Sequence, residues 1–237
     1  MADAIRTVWL DNPPLNAVGP RVVDAITAAL ERLDADTRVL VLRGAGEHAF
    51  SAGADVSGFA SSDGGARALQ RLADRIEEAP VPVVAAIHGF CLGGGLEIAL
   101  ACDVRVAQRG AQVGFPEVRL GLLPGGGGTQ RLPRLIGPGR ARWLIMSGER
   151  IDAEHAERWG IVEHVVDDLD EGVERVAGAL AKLSGSALRE IKHVLHATRD
   201  VRRDELESDA FARARVSEDG REGVAAFLEK REPKWAS

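Results

Sequence analysis

Two acids in this chain stand beside runs of glycine. Glu97 follows three glycines in "CLGGGLEIALACD" (91–103), and Glu117 lies in "GFPEVRLG" (114–121), just before the glycines of "LPGGGG" (123–128). Glycines at the start of a helix let another molecule approach unpaired backbone N–H groups, where the helix dipole favours negative charge. Two anions suit such a place: a bound phosphate, or an oxyanion formed during a reaction. Neither "GGGLE" nor "PGGGGTQ" carries the Lys-Ser/Thr pair of a Walker A loop, and the spacing is not G-x-G-x-x-G. An acid one turn into the helix would also repel a phosphate. An oxyanion flanked by a proton donor fits better. A further glycine turn, "FSAGADV" (50–56), could bring another N–H to the same point. Two carboxylates at such a site would allow proton removal and proton delivery on one substrate.

Plainer roles remain open for each of these residues. An acid in a first helical turn is favoured by the dipole alone, which covers Glu97 and Glu117 equally. Glycine runs serve as tight turns, Asp55 and Asp103 as caps or turn formers, and His88 as a packed residue at a strand end. The acids are 20 positions apart in sequence and can meet only through the fold. No set of His, Cys and acids has metal-ligand spacing, so no metal is expected.

The elements that must position these residues alternate in type. "VLVL" (39–42) and "VPVVAAI" (81–87) read as buried strands, "DVRVA" (103–107) and "IVEHVV" (161–166) as further strands. Val22, Val23, Ile26, Leu30 and Leu33 after Pro20 have helical spacing, as do Leu69, Leu72, Ala73 and Ile76. "LEIALAC" predicts a helix after the glycines. "GRARWLIMSG" and "DAEHAERWG" predict two more, the second capped by Asp152 and stopped by Gly160. From about residue 170 the pattern is helical, with a last helix over 211–230 interrupted at "SEDGREG". Residues 58–68 read as a loop that could cover a site. The expectation is an α/β layer structure followed by a helical appendage.

Composition agrees with a globular protein: 237 residues, 45% hydrophobic and 28% charged, with a net charge of −6. The acidic balance argues against nucleic acid as a partner. No apolar run is long enough for a membrane span, and the start has no secretory pattern, so the expected location is cytoplasmic, with Cys91 and Cys102 reduced and buried.

The blocks "HAFSAGADV", "AAIHGFCLGGGLEIALACD", "GFPEVRLGLLPGGGGTQRLPRLIG" and "GERIDAEHAERWGIVEHVV" resemble, in order and interval, the enoyl-CoA hydratase/isomerase (crotonase) family. "LDNPPLNAV" is similar to its first strand and turn, and the likeness continues to "AFLEKREPKW". The resemblance implies a spiral of ββα turns over 1–180 holding the active site, and a helical oligomerisation region over 181–237. It implies a homotrimer or a hexamer made of two trimers, and acyl-CoA thioester substrates with no cofactor beyond the coenzyme A of the substrate. Carried over position by position, it implies Glu97 and Glu117 as catalytic acids. Ala54 and Gly94 become the N–H donors of an oxyanion hole, with Gly93 and Gly95 keeping side chains away from the oxygen. Gly125 becomes a water-positioning residue, and Ala52, Asp55, Phe227 and Lys230 substrate contacts. Ser57 stands where many relatives carry Lys. The implied activity is addition of water to a 2-enoyl-CoA to give a 3-hydroxyacyl-CoA. The alternatives are an enoyl-CoA isomerase or another acyl-CoA reaction of the family, and a non-catalytic or RNA-binding relative. The last helices carry Leu188, Ile191, Leu195, Phe211, Phe227 and Leu228, which would need a partner surface.

Overall fold

Runs of consecutive apolar residues can be buried as strands only where both faces of a sheet are covered. The computed structural model describes residues 4–34, 36–55, 64–197, 212, 215–216 and 218–233. Five parallel strands form a large sheet in the order β1 (Ile5–Leu10), β2 (Val39–Gly44), β4 (Val83–Ile87), β6 (Val104–Gln108) and β9 (His164–Val166). On one face Leu40, Leu42, Val83, Ala85 and Ile87 enter the main core. On the other, Val39, Val41, Val84, Ala86 and Val106 meet Leu169 and Ala177 of helix α7 (Leu169–Ala181). The period-2 alternation of side chains thus feeds two apolar cores from one strand.

A smaller sheet joins β3 (Ala49–Ser51), β5 (Phe90–Leu92) and β7 (Gln112–Gly114) in parallel, with β8 (Arg150–Asp152) antiparallel at its edge. The path after β1 and helix α1 (Pro20–Glu31) repeats itself. Strand β2 leads to β3 and helix α2 (Gly64–Glu77), then β4 to β5 and helix α3 (Gly94–Ala101), then β6 to β7 and a 3₁₀ turn (Pro116–Leu120). This is the spiral of ββα turns. Helices α4 (Gly128–Ile136) and α5 (Pro138–Ser147) precede β8 in the chain and α6 (Ala153–Trp159) follows it, with the expected Asp152 cap and left-handed Gly160 stop. The C-terminal part holds α8 (Gly185–Ala197) and α9 (Glu218–Glu229).

Several boundaries differ from the sequence reading. The strand expected over 161–166 covers only His164–Val166, because Ile161 closes α6 by bonding to the Ala156 carbonyl and is buried in the core with Val162. Helix α2 begins at Gly64, so the end of the expected 58–68 loop is helical; 58–63 and Ser57 lie outside the described residues. Helix α9 runs through "EDGREG" without a break. A Cβ on Gly223 would fall on the Leu120 carbonyl, so that glycine serves close docking of the helix on the 3₁₀ turn. Phe211 lies outside the described residues. Asp103 is no local turn former: its Oδ2 accepts from the Val83 N–H at 2.7 Å and pairs with Lys192 of α8, also at 2.7 Å. Lys192 is 9% exposed and also donates to the carbonyls of Ile76 and Val81, which ties α8 to the body. Cys91 and Cys102 are buried free thiols.

All eight residues of α3 are buried, and one buried arginine secures its C-terminal end. Arg105 on β6 is 4% exposed; it donates to the carbonyls of Cys102 (2.7 Å), Ala99 (3.2 Å) and Ile161 (2.8 Å) and pairs with Glu163. Removing one partner of a buried ion pair leaves the other groups unsatisfied. Arg105→Met should therefore lower the unfolding free energy by about 3 kcal/mol, measured as a fall in the urea midpoint with unchanged slope.

Candidate active site

The small sheet delivers three chain segments to one place. β3, β5 and β7 are parallel, so their carboxyl ends lie on the same edge. Ser51 is followed by Ala52–Asp55, Leu92 by Gly93 and Gly94, and Gly114 by the 3₁₀ turn that carries Glu117. A bridge between Val18 and Ala54 fixes the first segment, with Val18 N–H donating to Gly53 O (2.7 Å) and Asp55 N–H to Val18 O (3.0 Å). In that pattern the Ala54 N–H turns away from Val18. On its other side lies Gly94, where a Cβ would stand 3.2 Å from the Ala54 nitrogen. Gly94 is the first residue of α3, so its N–H has no acceptor inside the helix.

Between these segments lies a cavity of about 580 Å³. Its walls are mostly apolar, including Val18, Val23, Ala66, Leu69 and Leu122, and the polar groups on it are few. That combination is usual for a small-molecule site. Of the residues singled out from sequence, Glu97, Glu117, Ala54, Gly94, Gly125, Ala52, Asp55 and Phe227 all line it. Phe227 reaches it from α9 of the same chain. Lys230 lies just past the end of α9 and is not part of the lining.

Glu97 is 2% exposed. Its Oε1 accepts from two backbone amides, Gly126 N–H at 2.7 Å and Gly128 N–H at 2.9 Å. Burial pushes the carboxyl above the ordinary value, while the two amides and the nearby Arg131 charge pull the other way. Burial prevails. The Oε2 atom stands toward Gly126, 2.6 Å from where a Cβ on that residue would be, and a Cβ on Gly128 would meet the Phe115 ring at 2.7 Å. Gly126 and Gly128 are therefore needed for the close fit of the loop around Glu97. The sequence reading missed these two amide donors and also Arg131. "GGGGTQR" marks a special loop, but nothing in it names the carboxylate 29 residues earlier that the loop grips.

The other glycines differ among themselves. Gly93 has φ +48° and ψ −123°, and a Cβ there would come within 2.6 Å of Glu117 Oε1. A Cβ on Gly95 would strike Ser51 O at 2.5 Å, so Gly95 allows α3 to pack on β3 and has no part in clearing an oxygen site. His88 is 6% exposed at the end of β4, and burial first, then Arg43, holds it below the ordinary histidine value; it keeps its packing role. Among the described residues no group of three or more His, Cys, Asp or Glu could hold a metal ion, and no described helix is long and apolar enough to cross a membrane.

The strain at Gly93 sets an expectation. Gly93→Ala adds a Cβ in backbone space that L-residues avoid and beside the Glu117 carboxylate. It should cost about 2–3 kcal/mol of stability, measured by thermal unfolding; an unchanged Tm would contradict the backbone geometry.

The whole chain, residues 1–237, matches the family model described as "Enoyl-CoA hydratase/isomerase". A "Probable enoyl-CoA hydratase" of Bacillus subtilis (strain 168) is 39% identical over 245 residues, covering 98% of this chain and 95% of the relative. A "Crotonyl-CoA hydratase" of Syntrophomonas wolfei is 39% identical over 251 residues, covering 99% and 95%. The crystal structure of an enoyl-CoA hydratase from Bacillus anthracis aligns with a TM-score of 0.79 at 36% identity, over 98% of this chain and 95% of that one.

Proposed function

The chain belongs to the enoyl-CoA hydratase/isomerase family, and on that premise we propose that it is an enoyl-CoA hydratase that adds water across a 2-enoyl-CoA thioester by two-glutamate acid–base catalysis. One observation carries the reading: Glu97 and Glu117 line a single apolar cavity together with Ala54 and Gly94, and a Cβ on Gly94 would stand 3.2 Å from the Ala54 nitrogen. A hydratase needs a base for water and an acid for carbon, and one site that offers both carboxyl groups supports it over a reaction using one.

In this reading the thioester oxygen lies against the N–H groups of Ala54 and Gly94. Water adds through its oxygen to C3, and its proton passes to Glu97 Oε2. The electron pair of the double bond moves toward C2, and charge develops on the thioester oxygen as an enolate. Two fixed donors aimed at that oxygen stabilise it by about 3 kcal/mol each, as in other oxyanion holes. Glu117, which enters the reaction protonated, then delivers its proton to C2, which completes the 3-hydroxyacyl-CoA, and exchange with water afterwards takes the proton from Glu97 and restores one to Glu117. Glu97 suits the base role because its Oε1 is held by two amides, so only Oε2 is open to water. Its raised pKa also makes it a stronger base than a free carboxylate. Gly125 orients the water; Ala52, Asp55 and Phe227 shape the space for the substrate, and Lys230 contacts the coenzyme. Leu183, Ile191 and Leu195, exposed beyond the α/β body, support assembly into trimers through the C-terminal helices.

Glu97→Gln and Glu117→Gln should each slow hydration of crotonyl-CoA on the order of 10²–10⁴-fold, followed as loss of the conjugated absorbance, with thioester binding largely kept. A Glu97→Gln protein that hydrates at the native rate would reduce Glu97 to a helix-start acid. Glu97 must be ionised to accept a proton, so kcat/KM should fall as the pH drops through its raised pKa. The acid limb should therefore lie above the ordinary carboxylate value of 4.5. A limb at or below 4.5 would remove Glu97 from the base role.

A further inference from the structure

We propose that Arg131 is a positioning residue for the Glu97 carboxylate: it clamps the glycine loop that holds Glu97 and supplies the positive charge behind it. The inference rests on the reading of Glu97 as the proton acceptor.

Arg131 on α4 is 5% exposed, and a guanidinium so deeply placed must have all its charge compensated. Nη1 donates to the Gly126 carbonyl at 2.8 Å. Nη2 donates to Asp74 Oδ1 at 2.8 Å and to Glu77 Oε2 at 2.9 Å, both on the last turns of α2. Gly126 is thereby held at both ends: its carbonyl by Arg131, its amide by Glu97. Between the two amides that grip Glu97 lies Gly127, with φ +108°, and a Cβ there would fall inside the Arg131 guanidinium. The loop is squeezed between an arginine on one side and the carboxylate on the other. If the guanidinium left, the loop would lose the contact that sets its height above Glu97.

The charge acts together with the geometry. The Arg131 charge from α4 acts on Glu97; its guanidinium is paired with Asp74 and Glu77 of α2, and Glu117 from the 3₁₀ turn lines the same cavity as Glu97. Cys91 on β5 is a buried thiol whose burial pushes it well up, so it stays neutral. β3, packed on α3 at Gly95, adds no titratable group. Arg131 is the cation that favours the ionised form of Glu97 against burial. Asp74 and Glu77 pair with that guanidinium, and opposite charges beside it offset its field. Loss of the arginine should therefore raise the pKa of Glu97, and loss of the two acids should lower it. A purely structural ion pair would produce no such opposed pair of shifts.

The test compares the native protein with Arg131→Gln, Arg131→Lys and the double variant Asp74→Asn/Glu77→Gln. Glu97 is titrated in the substrate-free protein by carboxyl-¹³C NMR, its signal assigned by its loss in Glu97→Gln, and the pH profile of kcat/KM on crotonyl-CoA is measured in parallel. Arg131→Gln should move the Glu97 titration up by about one pH unit and cut kcat on the order of ten- to a hundredfold with little change in KM. Arg131→Lys keeps the charge but cannot span both directions, so it should leave the titration near native while losing part of kcat. The double variant should move the titration down. Asp74→Asn alone leaves Glu77 paired with Arg131 and should move the titration down by less, so it gives an answer even where Arg131→Gln or the double variant does not fold. A Glu97 titration that stays put in the double variant, or in a folded Arg131→Gln, overturns the proposal. A native protein that fails to hydrate enoyl-CoA would refute the hydratase reading instead, and the titration would still decide the place of Arg131.

Discussion

A carboxylate buried in an apolar helix is the constraint on which the site depends. Every residue of Gly94–Ala101 is buried, and Glu97 is its one ionisable side chain before Cys102. An isolated ionised carboxyl in such surroundings would be neutralised or expelled. It is kept by two amides of a loop that must come within hydrogen-bond distance of it. That requirement excludes side chains at Gly126 and Gly128, and the loop in turn needs a support on its far side. Arg131 provides the support, and a buried arginine then needs Asp74 and Glu77. One buried acid thus accounts for the glycine loop, a buried cation and the polar end of α2.

The spiral explains how segments far apart in sequence reach one cavity. Each turn sends a short strand into the small sheet, and parallel strands end on the same side. Ligands in sheets of this kind bind beyond the carboxyl ends of the strands, where the chain leaves the ladder and its backbone groups are unspent. Here the three exits are Ala52–Asp55, Gly93–Gly94 and the turn at Glu117. The large sheet takes no direct part in the lining; with both faces covered, it gives the small one a fixed base.

Much of the large sheet was legible because burial on both faces writes continuous apolar strands. "VLVL" and "VPVVAAI" could hardly be read otherwise. The three-residue strands of the small sheet were not, since three positions carry no period, and β5 ends directly against the glycines. The pattern runs too far at the start of β9 for a physical reason: Ile161 and Val162 are apolar because they fill the core beside α6, not because they pair. At the site, both acids and the neighbourhood of Ala54 and Gly94 were visible as residue types, but their convergence came through the family resemblance. Spacing alone cannot bring positions 97 and 117 together. The role of Arg131 was invisible because an arginine after a glycine run is, in sequence, one more surface cation.

The glycines also show why runs of one residue type resist a single explanation. Within 93–95 the same absent Cβ makes room for different neighbours: the Glu117 carboxylate at Gly93, the Leu69 side chain and the Ala54 amide at Gly94, and Ser51 at Gly95. Only the middle position opens onto a backbone N–H. A substitution at Gly95 would separate a helix from a strand, whereas one at Gly93 would press on an acid, and one at Gly94 would press on Leu69 and the Ala54 amide. The run is three constraints that happen to share one residue. An anion-binding reading of such a run therefore belongs to a particular position in it, the one whose missing side chain faces another donor.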